Sequence, residues 1–574
     1  MCGIVAYIGT RACHGLLIEG LKRLEYRGYD SAGVALLDAE PGAGEATLRL
    51  CKSVGRVANL EARSGEEIDS DATLGLAHTR WATHGGVTNP NAHPHTDDSG
   101  TICLVHNGII ENYAALKKYL ADHGRTFKTE TDSEVLATLI AHLYEGDLER
   151  AVQAALREVT GAYAIAVVST KEPDTMVCAR KGSPLIVGVG NGEYVIASDG
   201  SAIIAHTSQA MTLDDYSVVR LTRDGFRTST IDNVELSPRV MQLELELDEI
   251  ELGSYTHYMQ KEIYEQPQSL RNCLRGRLDT NEGRVVLGGL KSFEKELVRS
   301  RRVIIAGQGT ALHAGMIGEY LFEDLATMPC EVEYASELRY RNPIIEERSV
   351  VIAVSQSGET ADTLAALQEV RDRGALALGV VNVVGSTMAR ETDAGVYLRV
   401  GPEIGVASTK AFTGQVCVLT LMSLWLARRR FLGAPEVARY IEELRRIPDH
   451  IESVLSIDDS VRTITEKYID RDNWLFLGRG YNYPTAMEGA LKLKEISYIH
   501  AEGMPAAEMK HGPIALIDDG MPCVFIATKG AQYDKVMSNI EEVRSRGGHI
   551  IAVATEGDKA IGAVAEDVMF IPDV

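Results

Sequence analysis

Residues 303–309 read VIIAGQG, and residues 474–480 read WLFLGRG, 171 positions further on. Each is an apolar run closed by a glycine turn. Each leads into a helical stretch with a glycine at the same distance, Gly318 in one and Gly489 in the other, and Glu337 and Glu508 keep the spacing. With a small slip, VVIAVSQSG at 350–358 aligns with PCVFIATKG at 522–530, and ALALGVV at 375–381 with HIIAVAT at 549–555. Strand, glycine turn, helix is the grammar of a parallel sheet covered by helices. Its recurrence at a fixed spacing predicts a duplicated α/β domain. Helices are expected at 311–325, 360–373 and 407–430.

Outward from this pair the pattern changes. Between 1 and about 240 the apolar runs are short: IVAYIG, AGVALLD, TICLVHNG, YAIAVVS, PLIVGVG, YVIAS and SVVRLT. Glycine, aspartate and asparagine turns separate them, with helical stretches near 111–123 and 133–144. That predicts an α+β domain of packed antiparallel sheets. Residues 238–280 carry ELELDEIELG and YTHYMQKEIYEQPQSL without a clean period, and are expected to be a connector with a docking helix. The division expected is therefore 1–240, a connector at 241–285, a first α/β domain at 286–450 and a second, apparently incomplete, at 451–574.

At 574 residues the chain exceeds one hydrophobic core, so two to four domains are expected. A formal charge of −23 disfavours nucleic acid and anionic membranes as bulk partners, without excluding a local basic pocket. No signal-like segment opens the chain, and no apolar run is expected to span a membrane. Nine scattered cysteines without a CxxC fit a reducing, cytoplasmic setting.

The opening MCGIVAYIG places a thiol at position 2. Removal of Met1 would leave Cys2 with its own α-amine, whose ordinary pKa of about 7.7–8.0 suits it to shuttle the thiol proton. An ordinary buried thiol beside the initiator is the alternative. The densest polar cluster is AHTRWATHGGVTNPNAHPH at 77–95, followed by LVHNGIIENY at 104–113. A metal site through His93 and His95 is the weaker explanation, since no acidic or cysteine partner stands at ligand spacing. A glutamine site explains more: Arg80 offers a guanidinium fork to the α-carboxylate, and Asp132 in KTETDSEV a carboxylate to the α-ammonium.

A second site is expected in the repeats. SQSGET at 355–360 follows a strand and opens a helix, so Ser355, Ser357 and Thr360 bring hydroxyls to free N–H groups, where the dipole favours an anion. The duplicate has ATKG there, so the fold alone does not demand the serines; a serine-rich cap is the alternative. Neither GxxxxGK[ST] nor GxGxxG occurs at these turns, so ATP and dinucleotides are not implied. In TAMEGALKLKEISYIH, Glu488, Lys492 and Glu495 share one helix face, while Ala486, Ala490 and Leu493 form the packing face. That face reads either as a solvated Glu–Lys pair or as an acid–base set that moves a proton beside a sugar carbonyl.

The opening and the RWATHG, HNGI and TDSE segments, in that order, resemble the class-II glutamine amidotransferases. Together with the two repeats, which resemble sugar-isomerase domains, essentially the whole chain resembles the glutamine–fructose-6-phosphate aminotransferase (isomerising) family. The resemblance implies that Cys2 is the nucleophile, Asn107 and Gly108 the oxyanion hole, and Arg80, Thr83, His84 and Asp132 the glutamine-binding set. Trp81 would gate an ammonia passage, and Arg27 would support the Cys2 amine. Sugar-phosphate contacts carry over to Ser355, Gln356, Ser357 and Thr360, to Gly309 and Thr310, to Val406 and Ser408, and to Glu488 and Lys492. Glu495 would be the isomerisation base and His511 the ring-opening group. Ala311 departs from the family, which usually has a serine giving the phosphate a hydroxyl.

The activity implied is ammonia transfer from L-glutamine to fructose 6-phosphate with isomerisation to glucosamine 6-phosphate, without metal or organic cofactor, in a homodimer. The rivals are a glutaminase whose sugar half has lost its chemistry and a sugar-phosphate sensor without turnover. The resemblance further implies a tail beyond the second repeat, holding a covering helix and a Schiff-base lysine; this sequence stops at MFIPDV. The expectation for the sequence as given is glutaminase chemistry with weak or no coupled synthesis, and exposed apolar surface on the second sheet or instability, in a truncated form rather than an evolved variant.

Overall fold

The computed structural model describes residues 2–38, 45–238, 240–243 and 247–573; the trimming of Met1 lies outside them. The chain divides into two compact units, Met1–Glu251 and Leu252–Val574.

The first unit contains two antiparallel sheets of eight and seven strands. In the larger, strand Gly3–Ile8 lies between Tyr194–Ala197 and Leu74–Arg80. In the smaller, Ile102–Ile110 pairs with Gly161–Ser169. Alternation decides the layering. Ile4, Ala6 and Ile8 face Val105, Ala164 and Ala166 of the other sheet in one core. Val5 and Tyr7, on the opposite face, pack with Leu17 and Leu60 of helices His14–Arg23 and Val57–Glu67. Helices Asp132–His142 and Leu148–Arg157 cover the outer face of the second sheet. The result is helix, sheet, sheet, helix, with strands buried on both faces, which is why they read as short apolar runs.

The second unit carries two five-stranded parallel sheets of matching order. Strand Arg302–Gly307 lies between Cys330–Tyr334 and Ser349–Ser355, followed by Leu376–Val381 and Ala394–Tyr397. Strand Asn473–Gly478 lies in the same way between His500–Pro505 and Pro522–Ala527, followed by His549–Thr555 and Asp567–Ile571. The paired glycines explain their own spacing. A Cβ on Gly318 would meet Ile305 at 3.0 Å, and one on Gly489 would meet Phe476 at 3.0 Å, so each lets its helix settle on the equivalent strand residue.

Helix Tyr258–Leu274 of the connector supplies Leu270 and Cys273 to the first repeat's core. The helix predicted from 407 begins at Lys410 and ends at Arg430. Its length and mean hydropathy of 1.3 do suit a membrane span, contrary to the composition reading, but 78% of that window is buried in the core. In the second repeat Val553 and Met569 are only partly buried, beside helix Asp458–Glu466, and Phe570 is 40% exposed.

Candidate active sites

Cys2 sits at the head of strand Gly3–Ile8, beside the end of Leu74–Arg80. The Trp81 N–H donates to Cys2 Sγ at 3.3 Å, and the thiol lies 3.5 Å from the Trp81 carbonyl. Gly28 makes this approach possible: a Cβ there would stand 2.6 Å from the Arg80 carbonyl carbon. Arg27 Nε and Asn107 Nδ2 both donate to the Cys2 carbonyl, at 3.1 and 3.0 Å. Burial pushes the Cys2 thiol above its ordinary pKa, against the Trp81 N–H and the charges of Arg80 and Arg27, which pull it down. A resting thiol of this kind needs a base at the moment of attack.

Arg80 is buried at the strand end, and its guanidinium donates to the carbonyls of His84, Gly85 (3.0 Å) and Gly86 (3.0 Å). The fork expected for a glutamine carboxylate is thus engaged by the loop it closes, and a ligand would share or displace those bonds. Glu130 clamps the same loop, accepting from the Gly86 N–H at 3.1 Å and Asn91 Nδ2 at 2.8 Å. Asp132 opens its helix, buried, and accepts the Ile110 N–H at 2.8 Å, leaving its other oxygen to a long 3.4 Å contact from Ser133. Thr83 is exposed, and His84 packs edge-on against Tyr113 at 4.5 Å. Trp81 is 42% exposed against Tyr29. Gly108 has φ +138° and no room for a side chain, since a Cβ would lie 2.0 Å from the Ala162 oxygen.

Beneath these groups, His78 and His106 join His93 and His95 without having been singled out in the sequence. His78, His93, His95 and His106 form a buried cluster: the His78 and His93 rings stack 4.0 Å apart, His95 meets His93 edge-on at 4.5 Å, and the His106 N–H donates to His93 Nδ1 at 3.3 Å. Burial holds His93 and His95 well below the ordinary histidine range. Among the described residues no group of three or more His, Cys, Asp or Glu is arranged to hold a metal. The available signal is period two: His78 and Arg80 alternate onto one face of the strand Leu74–Arg80, which is absent from the apolar runs.

In the second unit, helix Thr310–Ala326 of the first repeat meets helix Asn482–Ser497 of the second. Glu488 is buried between them and accepts from Thr310 Oγ1 at 2.8 Å and His313 Nδ1 at 2.7 Å. Lys492 Nζ lies 3.2 Å from Glu488, 2.7 Å from Glu495 and 3.2 Å from Thr310 Oγ1. Thr310, Glu488, Lys492 and Glu495 therefore share one cluster, with Gly309 beside it at the helix cap, and His313 joins it without having been foreseen. Burial raises the Glu488 pKa, but His313, Lys492 and Thr310 outweigh it and the net shift is downward.

On the SQSGET turn, Ser355 Oγ accepts the Gly358 N–H at 3.0 Å and Ser357 Oγ the Glu359 N–H at 3.1 Å. Thr360 Oγ1 lies 3.3 Å from Ser355, and Gln356 is half-buried. Gly358, at φ +67°, leaves the turn against Ser386, where a Cβ would clash at 2.2 Å. Ala311 is buried in the apolar core. Val406 is exposed, and Ser408 donates to Glu403 at 2.8 Å. Their loop is held by buried Glu262, which accepts the N–H groups of Ile404 and Gly405. His511 stands exposed on the turn Ala506–His511, outside the hydrogen-bonded Glu488 cluster.

A cysteine at position 2 framed by amide donors, on an antiparallel sandwich in a chain that also carries paired parallel-sheet domains, fits a glutamine amidotransferase coupled to sugar-isomerase domains. Family models agree: residues 57–256 match the glutamine amidotransferase domain, and 296–424 and 467–572 the SIS domain. A glutamine–fructose-6-phosphate aminotransferase [isomerizing] from Chlorobaculum tepidum is 53% identical over 100% of this chain and 93% of its own length. One from Thermus thermophilus is 48% identical over the same shares. The solved C-terminal domain of glucosamine-fructose-6-phosphate aminotransferase from Francisella tularensis matches 56% of this chain and 91% of its own, at 39% identity and TM-score 0.54. The chain belongs to the glutamine–fructose-6-phosphate aminotransferase (isomerizing) family.

Proposed function

We propose that the chain takes ammonia from L-glutamine at Cys2, places it on fructose 6-phosphate, and isomerises the product to glucosamine 6-phosphate with release of glutamate. The observation that carries the first half is the convergence of the Asn107 carboxamide and the Trp81 N–H on Cys2. Sγ attacks the side-chain carbonyl carbon of glutamine, the thiol proton passes through the Cys2 α-amine to the amide nitrogen, and a C–S bond forms as C–N breaks and ammonia leaves. Water then hydrolyses the thioester to glutamate. Asn107 Nδ2 and the Gly108 N–H receive the negative oxygen. Arg80, Thr83, His84 and Asp132 hold glutamine, with Trp81 as gate and Arg27 bracing residue 2.

The sugar half is assigned to the Glu488 cluster and the SQSGET turn. Ser355, Gln356, Ser357 and Thr360 hold the phosphate with Gly309 and Thr310, while Val406, Ser408, Glu488 and Lys492 orient the sugar. Glu495 moves a proton from C1 of the open-chain sugar to C2, the carbon that carries the new nitrogen, and His511 opens the ring. We assign the glutaminase part to 1–240, the connector to 241–285 and the repeats to 286–450 and 451–574, in a cytoplasmic homodimer without a cofactor. The test counts glutamate and hexosamine phosphate formed per glutamine, with and without fructose 6-phosphate. Near-equal yields support the proposal. Glutamate alone favours a glutaminase with a silent sugar half, and neither product favours a sensor.

A further inference from the structure

The Asn107 carboxamide has two nearly isosteric ends, and only one orientation puts hydrogens beside Cys2. Its Nδ2 faces the Cys2 carbonyl at 3.0 Å and Ser198 Oγ at 3.2 Å. Its Oδ1 lies 2.9 Å from Nε2 of His78, a residue assigned no role above. The same Nε2 is 3.1 Å from the backbone oxygen of His106. A backbone carbonyl only accepts, so this nitrogen must carry the ring proton. His78 Nε2–H then donates to both oxygens, and an Asn107 amide turned the other way would point N–H at N–H. His78 Nδ1 is buried without a partner among the described residues, so a proton placed there instead would be a buried, unpaired N–H. Burial keeps the ring neutral, its pKa pushed down to about 3.

We infer that His78 is a positioning residue, whose Nε2–H, fixed by the His106 carbonyl, sets the Asn107 carboxamide with its NH₂ on the side of Cys2. The inference rests on the glutaminase reading of the Cys2 site. It acts through Asn107, so it predicts a coupling that a purely structural histidine would not show.

The test uses glutamine hydrolysis by the full chain. In His78→Gln the amide nitrogen can reach the place of Nε2; in His78→Asn it is too short. His78→Asn should lower kcat about tenfold with KM within about twofold, and His78→Gln should keep most of the rate. In an Asn107→Ala background, His78→Asn should cost less than about twofold more. Wild-type kcat in His78→Asn, or a full additional loss in that background, overturns the inference. ¹⁵N NMR of histidine-labelled wild-type protein gives a check independent of any variant: a proton on Nε2 is expected, and one on Nδ1 overturns the assignment. If the wild-type chain hydrolyses no glutamine, the reading of the site fails and takes this inference with it. A hydrolysing wild type with indistinguishable variants overturns the inference alone.

Discussion

Around Cys2 the named polar groups are tied largely to backbone: Asn107 and Arg27 to the Cys2 carbonyl, Arg80 to three loop carbonyls, Asp132 to the Ile110 N–H. Around Glu488 they are tied to one another, Thr310, His313, Lys492 and Glu495 meeting across two helices of different repeats. Backbone anchors give a geometry that need not change, which suits donors aimed at one developing oxyanion. Side-chain ion pairs can be exchanged for a ligand's groups, which suits a site that must bind an anion and then move protons. The two regions should therefore fail differently when one residue is removed.

The largest effect is expected at the anchored site. Cys2→Ala should lower glutamine hydrolysis by at least about 10⁴-fold, because the covalent route is gone. The fold and fructose 6-phosphate binding should persist, since a small side chain at a strand head is lost. Steady-state kinetics beside calorimetric sugar titration checks both. Retained hydrolysis would move the nucleophile elsewhere and break the comparison.

Glu488→Ala strips three partners from a buried position. It should destabilise the second unit by about 3 kcal/mol, since breaking a buried pair leaves charge uncompensated, and should weaken sugar-phosphate binding. Sugar-independent glutamine hydrolysis should stay within about twofold of wild type. A variant as stable as wild type would show that Lys492 is satisfied by Glu495 alone.

Glu262 sharpens the contrast through pH. Burial, with Glu403 nearby, pushes its carboxyl up to about 7, against the pull of the Gly405 and Ile404 amides and Lys410. A carboxyl raised on folding binds its proton more tightly in the native state. Its contribution is complete below the unfolded pKa and is lost as pH rises through about 7. Glu262→Gln keeps an acceptor for both amides and removes the titration. It should melt like wild type at pH 5 and be more stable at pH 8, by about 2 kcal/mol. Parallel stability curves for the two proteins across that range would refute the burial argument.

What the sequence made legible follows the same divide. The repeats could be read because strand and helix glycines recur at one spacing. The face of Glu488, Lys492 and Glu495 could be read from helical period alone. His313 could not, because its partner lies 175 residues away and only tertiary packing joins them. The strand Leu74–Arg80 was hidden because its polar end, AHTR, breaks the apolar alternation for chemistry's sake. With that strand went His78. Residue roles such as those of Thr83 and Val406 came from resemblance, and nothing in their own spacing announces them.

The smallest effect is expected at Ala311, where the resemblance implies a serine. Ala311 lies in the first turn of helix Thr310–Ala326, is 8% exposed, and belongs to the apolar core of the first repeat. A hydroxyl placed there has opposite consequences in the two states of the site. Without ligand it is a buried polar group lacking an assured partner, and Ala311→Ser should cost about 1 kcal/mol of stability. With a phosphate at the helix N-terminus the hydroxyl gains an acceptor beside the helix dipole. One ordinary hydrogen bond is worth about 0.5–1.5 kcal/mol, which is about two- to tenfold in affinity. The variant should thus melt slightly lower when empty and bind fructose 6-phosphate more tightly, so that saturating ligand narrows or closes the gap in melting temperature. Calorimetric titration and thermal melts with and without the sugar phosphate measure both halves. A loss of stability without a gain in affinity would place the residue 311 side chain in the core alone, and confine the anion to the serine turn at 355–360.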